Sequence, residues 1–406
     1  MKRVLVLGGG FAGLWAAVAA QRKLREIGRE REATVTLVNR TAYHNIRVRN
    51  YEADLSDVCV ALDEVLAPVG VDRVLGDVVG LDASSRTVGV RMGEDVHTLV
   101  YDGLVLALGS QLVSPALPGF SDFAFNVDTY AAAASLRDHL ATLPSIGAPG
   151  AATIVVIGAG LTGLEVATEM PARLGALFPS AKPGVILVDH NTYVGSDMGE
   201  HARPFIIDAL QQAGVKLRLA AAVAEIQRDA VLLSSGESIP AYTAIWCAGM
   251  RANPLCADIP VEHDKLGRIR VDKYLRVNGQ DGMFAAGDAA AAKVDADHLS
   301  VMSCQHARPM GRFAGHNVVA ELFDLPMLPL SVDWYVTVLD LGSWGAVYTK
   351  GFDRQVVSTG AAAKDTKRTI NRRRIYPPRS RDPEEILAAA AAIAQRPPAT
   401  VRAAED

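Results

Sequence analysis

The stretch VVIGAGLTGLEVATE, Val155–Glu169, decides the fold, because the chain has already spelled something close to it as VLVLGGGFAGLWAAV, Val4–Val18. Each copy opens on an aliphatic, β-branched run, turns through GxGxxG and continues into an alanine-rich stretch that favours a helix. The glycines are Gly8, Gly10 and Gly13 in the first copy and Gly158, Gly160 and Gly163 in the second. In a strand–turn–helix of this kind the first glycine permits the tight turn, the second lets backbone approach a pyrophosphate, and the third lets helix and strand pack closely. The unpaired N–H groups of the helix start then face the phosphates.

A lone GxGxxG also occurs in turns that bind nothing, so the internal metric matters. From Gly13 the strand-like ATVTLVN ends 26 residues on at Asn39, and from Gly163 GVILVD ends 26 residues on at Asp189. A ribose-binding acid stands at this place in dinucleotide folds. Asp189 fits it, and its charge would repel a 2'-phosphate, which predicts NADH rather than NADPH at the second turn. Asn39 is neutral and can hydrogen-bond an adenosine ribose that carries no 2'-phosphate, as in FAD. Arg40 beside it leaves an NADP site open. Three later stretches, YDGLVLALGS (101–110), AYTAIWCAGM (241–250) and GMFAAGDAA (282–290), read as buried strands ending in glycine turns. Asp288 in the last is placed to bond a flavin's ribityl or pyrophosphate end, or simply to cap a helix.

Together these motifs resemble the type II NADH dehydrogenases, the single-subunit NADH:quinone oxidoreductases of the two-dinucleotide flavoprotein superfamily. The likeness runs from Met1 to Phe323 and more weakly near Leu339. It implies FAD held by Gly8, Gly10, Phe11, Ala12, Gly13, Asn39, Arg40, His44, Val78, Gly109, Gly287, Asp288, Cys304 and Gln305. It implies NADH held by Gly158, Gly160, Leu161, Thr162, Gly163, Asp189, Ala248 and Gly249. The segment YHNIRVRNYE (43–52) would pass near the isoalloxazine, and SCQHARPMG (303–311) would line the flavin edge and the acceptor pocket. In the second of these the family pattern is Ala-Gln-x-Ala-x-Gln; here Cys304 replaces the first Ala and Pro309 the last Gln, while Gln305 and Ala307 are kept. His306, Arg308, Arg47 and Arg49 add polarity there, which leaves room for a more anionic acceptor than a quinone. Glu165 is implied in substrate positioning or proton delivery, with Gln305 and His306 as further catalytic candidates. A helix-start acid and a structural histidine are the plainer readings of Glu165 and His306.

The expected fold class is α/β: two Rossmann-like FAD/NAD(P)-binding domains plus a small C-terminal α+β tail. The FAD domain is expected to be discontinuous (1–117 and 253–326), the NADH domain to occupy 118–252, and 327–406 to form a hairpin and helical tail. The 406 residues suit two or three domains at about 150 residues each. No apolar run approaches the roughly 18 to 20 residues of a spanning helix, and nothing after VLVLGGG looks like a cleavage site. The expected location is therefore cytoplasmic. Cys59, Cys247, Cys256 and Cys304 are far apart, without a CxxC pair, so neither a disulfide framework nor a metal site is expected. A net charge of −4 gives no attraction to nucleic acid. One run departs from this balance: from Lys364 to Arg381 eight Lys or Arg face a single acid, Asp365. It reads either as a solvated strip or as adhesion to an anionic membrane face. The aromatics Trp334, Tyr335, Trp344 and Tyr348 are expected to pack internally or at a homodimer contact. The reactions consistent with all this are NADH:quinone oxidoreduction, soluble NAD(P)H-dependent reduction of another small acceptor, and flavin sensing without turnover.

Overall fold

The computed structural model describes residues 1–180 and 183–394. The first glycine turn follows the strand Lys2–Leu7, the centre of a five-stranded parallel sheet. Its neighbours are Ala33–Asn39, which pairs on outward to Asp72–Leu75, and Gly103–Leu106, which pairs on to Met283–Ala285. A strand from residue 283 thus joins a sheet begun at residue 2, so this unit is built from two separated lengths of chain. The last four residues of the strand, Val4 to Leu7, are buried, as expected where helices cover both faces.

The second turn sits in a copy of this arrangement. The strand Thr153–Ile157 lies between Gly184–Val188 and Thr243–Trp246, with Val215–Arg218 and Ala124–Phe125 at the edges. Between the two sheets the chain crosses out at Ser110–Leu112 and back at Met250–Ala252, and these segments pair antiparallel. Two three-stranded antiparallel ribbons, 77–100 and 223–240, close the sides.

Small residues set the closest helix contact. A Cβ on Gly311 or Gly315, in the helix Cys304–Leu322, would stand 2.1 or 2.0 Å from the carbonyl oxygens of Ala12 and Ala16 in the helix Phe11–Glu26. Glycine at both positions lets the two backbones touch, so the helix after the Gly287-Asp288 turn lies directly along the helix of the first glycine turn.

The tail contains the expected hairpin, Val336–Asp340 and Ala346–Lys350 around a turn at Gly342–Trp344, and adds a third strand, Gln355–Thr359. A helix, Gly360–Thr369, and a wider turn, Ile370–Arg374, follow. The alanine run after Pro383 forms only a short helix to Ala389. Tyr335 and Tyr348 are buried within this tail, and Trp344 donates its indole N–H to Asp208 at 2.7 Å.

The basic run is not simply a solvated strip. Lys364 pairs with Asp340, Lys367 with Glu165, Arg372 with Glu52, Arg379 with Asp57 and Arg381 with Glu64. Lys364 is met inside the tail, while the other four reach acids of the two nucleotide units. Among the described residues no helix is long and apolar enough to cross a membrane.

Candidate functional site

Both glycine turns are closed by the same device. The Asn39 side-chain oxygen accepts the Gly9 N–H at 2.8 Å, and the Asp189 carboxylate accepts the Ala159 N–H at 2.5 Å. Each end-of-strand residue thus anchors its turn through the amide between the first two glycines. A Cβ on Gly13 would lie 1.7 Å from the Gly8 carbonyl oxygen, and one on Gly163 would lie 1.7 Å from that of Gly158. Gly10 and Gly160 cap the following helices without a side chain, leaving the helix-start N–H groups open to an anion. Leu161 and Thr162 begin the second helix, while Ala248 packs beside Gly158 just past the neighbouring strand and Gly249 faces Val113.

Around the first turn, His44 is 1% exposed, and its Nδ1–H donates to the Gly9 carbonyl at 2.9 Å. Burial drags its pKa down to about 4, so the ring is neutral and Nε2 keeps a lone pair that no donor among the described residues meets. Phe11 meets the same ring edge-on at 4.8 Å. Arg40 is exposed and pairs with Asp77 at 3.4 Å, next to Val78. Gly109 and Gly287 both adopt left-handed backbone, at φ 72° and 70°. Asp288 is pushed up by burial and drawn back by the Ser110 hydroxyl at 2.6 Å and by Arg47 at 3.8 Å. Arg47 also reaches Asp128 and Met250, so it spans the seam between the two sheets. A glycine cradle, a helix start and a buried acid beside it are what a flavin dinucleotide requires, and these residues fit FAD.

Glu165 lies one turn inside the helix Leu161–Leu177, and only 8% of it is exposed. Its carboxylate meets the Lys367 ammonium at 2.6 Å and the Asp340 N–H at 3.2 Å, while Lys367 also donates to the Val338 carbonyl at 2.8 Å. Burial raises the Glu165 pKa and Lys367 pulls against that rise. For Lys367 burial acts downward, but the Glu165 charge outweighs it and holds the ammonium above its ordinary value. Asp340 in turn accepts from Tyr51 at 3.2 Å and from Lys364 at 2.5 Å. A cleft of about 270 Å³ lined by Tyr51, Glu169, Asp340, Lys364 and Lys367 joins this network to the surface.

Lys367 and Asp340 were not legible as site residues, since nothing local marks them, whereas Tyr51 belongs to the 43–52 segment expected near the flavin. The charge run around Lys367 was the available signal, and it was read as surface. Cys304 completes the group: burial raises its thiol pKa, and it feels the charges of Arg308, Lys367 and Asp288. The helix of the second glycine turn, the Gly287–Ala289 turn, the start of the helix Cys304–Leu322 and the tail helix thus bring Glu165, Asp288, Cys304 and Lys367 within reach of one another's charge. Gln305 and His306 are committed elsewhere. Gln305 donates to the Trp334 carbonyl at 3.1 Å and accepts the Val336 N–H at 3.4 Å. His306 accepts the Val301 N–H at 2.9 Å, and burial pulls it down to about 4, so it is neutral at physiological pH.

Residues 2–311 match the pyridine nucleotide-disulphide oxidoreductase family. The chain is 54% identical over 405 residues to NADH dehydrogenase-like protein Rv1812c of Mycobacterium tuberculosis, spanning 98% of this chain and 100% of that one. It is 26% identical to the type II NADH:quinone oxidoreductase of Staphylococcus haemolyticus over 71% of this chain and 75% of that one. NDH2 from Plasmodium falciparum, solved in complex with NADH, shares the fold at a TM-score of 0.77 over 96% and 97% of the two chains, with 12% identity.

Proposed function

Because the chain belongs to the pyridine nucleotide-disulphide oxidoreductase family and is an NADH dehydrogenase of the type II kind, using FAD and NADH, we propose that it passes the electrons of NADH to a quinone-type acceptor. The net reaction is NADH + H⁺ + quinone giving NAD⁺ + hydroquinone. FAD, when bound, takes up hydride from NADH and releases the electrons to the acceptor. The first turn with Asn39, Gly109 and Asp288 would hold it, and the second turn with Asp189, Ala248 and Gly249 would hold NADH.

The observation that carries the reading is the Glu165–Lys367 pair, a desolvated carboxylate and ammonium at 2.6 Å that joins the helix of the second glycine turn to the tail helix Gly360–Thr369, with Cys304 close enough to feel the Lys367 charge. Hydride transfer asks mainly for orientation and exclusion of water. A buried pair tied to the Val338 carbonyl and the Asp340 amide fixes the wall against which a nicotinamide lies. The same pair holds a proton at Lys367 Nζ. The proton consumed per turnover enters through the cleft at Tyr51, Asp340 and Lys364. Gln305 contributes to the acceptor side by fixing the strand Val336–Asp340 rather than by hydrogen-bonding a head group.

The test is an anaerobic titration of the purified holoprotein with NADH, followed by turnover against menaquinone and ubiquinone analogues, ferricyanide and oxygen. Bleaching of the flavin band together with turnover fastest on the quinones is the expected result. A flavin that NADH does not bleach would end the reading.

A further inference from the structure

Four arginines near the proposed acceptor side differ in how their charges are met. Arg47 is answered by Asp128 and Asp288. Arg49, 2% exposed, is answered by Glu52 and Asp57 and by the Tyr376 hydroxyl. Arg308 and Arg312, 9% and 5% exposed, meet no carboxylate among the described residues. Both stack on one indole, their Cζ atoms 5.6 and 4.3 Å from the centre of the Trp15 ring. The charged groups they do feel are Cys304 and Arg374 for Arg308, and Arg308 for Arg312.

Their surroundings are rich in donors that lack acceptors. Arg308 Nε, Arg312 Nε and Trp15 Nε1 are all buried with no acceptor among the described residues. His44, whose remaining nitrogen also lacks a partner, lies close enough to sense the Arg308 charge. Arginine stays protonated at any physiological pH, so the two guanidiniums remain charged and repel each other. Burying like charges without a counter-ion is strongly unfavourable, and a folded protein tolerates it where a ligand supplies the opposite charge. Arg308 and Arg312 lie one and two helical turns from Cys304, on either side of Pro309, which stands where the family pattern has its last Gln.

We propose that Arg308 and Arg312, set around Trp15, form a buried anion-binding site that selects an acidic quinone, one carrying a carboxylate or an enolate, as the electron acceptor. The inference rests on the quinone reading above. The acid group keeps its charge through the reaction: NADH and one proton reduce the quinone ring to the hydroquinone, and the anion serves only as the handle. Trp15 offers an aromatic face and an N–H for such a ring, and the guanidinium forks match a planar oxyanion.

The experiment compares a hydroxynaphthoquinone, an enolate at neutral pH, with its uncharged methyl ether, in wild-type holoprotein and in Arg308→Met, Arg312→Met and Arg312→Lys. The wild type should favour the enolate in kcat/KM. Either methionine variant should lower the enolate-to-ether ratio by about tenfold or more through KM, with Arg312→Lys between. Without NADH, the enolate should raise the melting midpoint of the wild type and not of the methionine variants, whose own midpoints should equal or exceed the wild type's because an unpaired charge has been removed. A ratio unmoved by the substitutions, or no enolate-dependent midpoint shift, overturns the site while leaving the quinone reading intact. Methionine variants that purify without flavin also overturn it, by assigning the pair to FAD. A flavin that NADH bleaches but neither naphthoquinone reoxidises overturns both.

Discussion

Replacing Lys367 by Met removes the ammonium that meets a carboxylate 8% exposed to solvent, leaving Glu165, among the described residues, with the Asp340 N–H at 3.2 Å. Stranding one member of a buried pair costs about 3–5 kcal/mol. For 406 residues, an unfolding entropy of roughly 2.1 cal/mol/K per residue converts this into a drop of about 4–6 °C in the melting midpoint. The double variant Glu165→Gln/Lys367→Met removes both charges and should recover most of the loss. Acidity separates the mechanism from simple loss of packing. Burial already raises the Glu165 pKa, and without Lys367 only the Asp340 N–H pulls against it, so the stranded acid takes up a proton at mild acidity and the deficit of Lys367→Met should shrink from pH 8 to pH 5. In the wild type, Lys367 is held above its ordinary value, so its contribution is complete at neutral pH and fades only as pH rises through that raised value. Calorimetry of the single and double variants from pH 5 to 10 tests this. A loss under about 1 °C, a loss that does not vary with pH, or a double variant no better than Lys367→Met would refute the argument.

Other perturbations probe separate parts of the site. Gly13→Ala drives a methyl against the Gly8 carbonyl at 1.7 Å and should yield colourless protein, whereas Gly163→Ala, with the same clash at Gly158, should retain flavin and raise KM for NADH at least tenfold. Absorbance at the flavin band and steady-state kinetics distinguish the two. His44, His306 and His316 are each pulled to about 4 by burial, so the unfolded chain takes up their protons first as pH falls. Stability should therefore drop between about pH 6.5 and 4, by up to roughly 3 kcal/mol per histidine, and His316→Gln should flatten that slope in denaturant melts. Asp189→Ala removes both the charge that would repel a 2'-phosphate and the acceptor of the Ala159 N–H at 2.5 Å. It should weaken NADH and narrow the NADH-over-NADPH preference, measured as the ratio of kcat/KM values.

What the sequence made legible was local. Gly8 to Gly13 and Gly158 to Gly163 announce their geometry through spacing and the β-branched runs before them, because a strand–turn–helix is determined within about 30 residues. The purpose of Asn39 was only half readable: its position at the strand end was evident, but its hold on the Gly9 N–H depends on the turn folding back over it. Lys367 lay beyond sequence reasoning because its partner is 202 residues away and its neighbours Lys364 and Arg368 gave it the look of a surface charge. Arg312 was missed for the opposite reason. A basic residue inside an otherwise apolar helix face gives no sign of whether an acid waits across the contact, and here the contact offers Trp15.

The reach of Lys367 back to Glu165 also bears on how the protein is born. Synthesis delivers both glycine turns long before it delivers the lysine, and the ribosome must add 202 residues after Glu165 before that acid can find its counter-ion. A nascent chain can therefore collapse around either nucleotide unit, but the wall between them stays unfinished, with an unanswered carboxylate that keeps it hydrated and loose. If the Glu165–Lys367 pair orients the nicotinamide as proposed, fragments released early by stalled translation should fold in part without running uncontrolled redox chemistry.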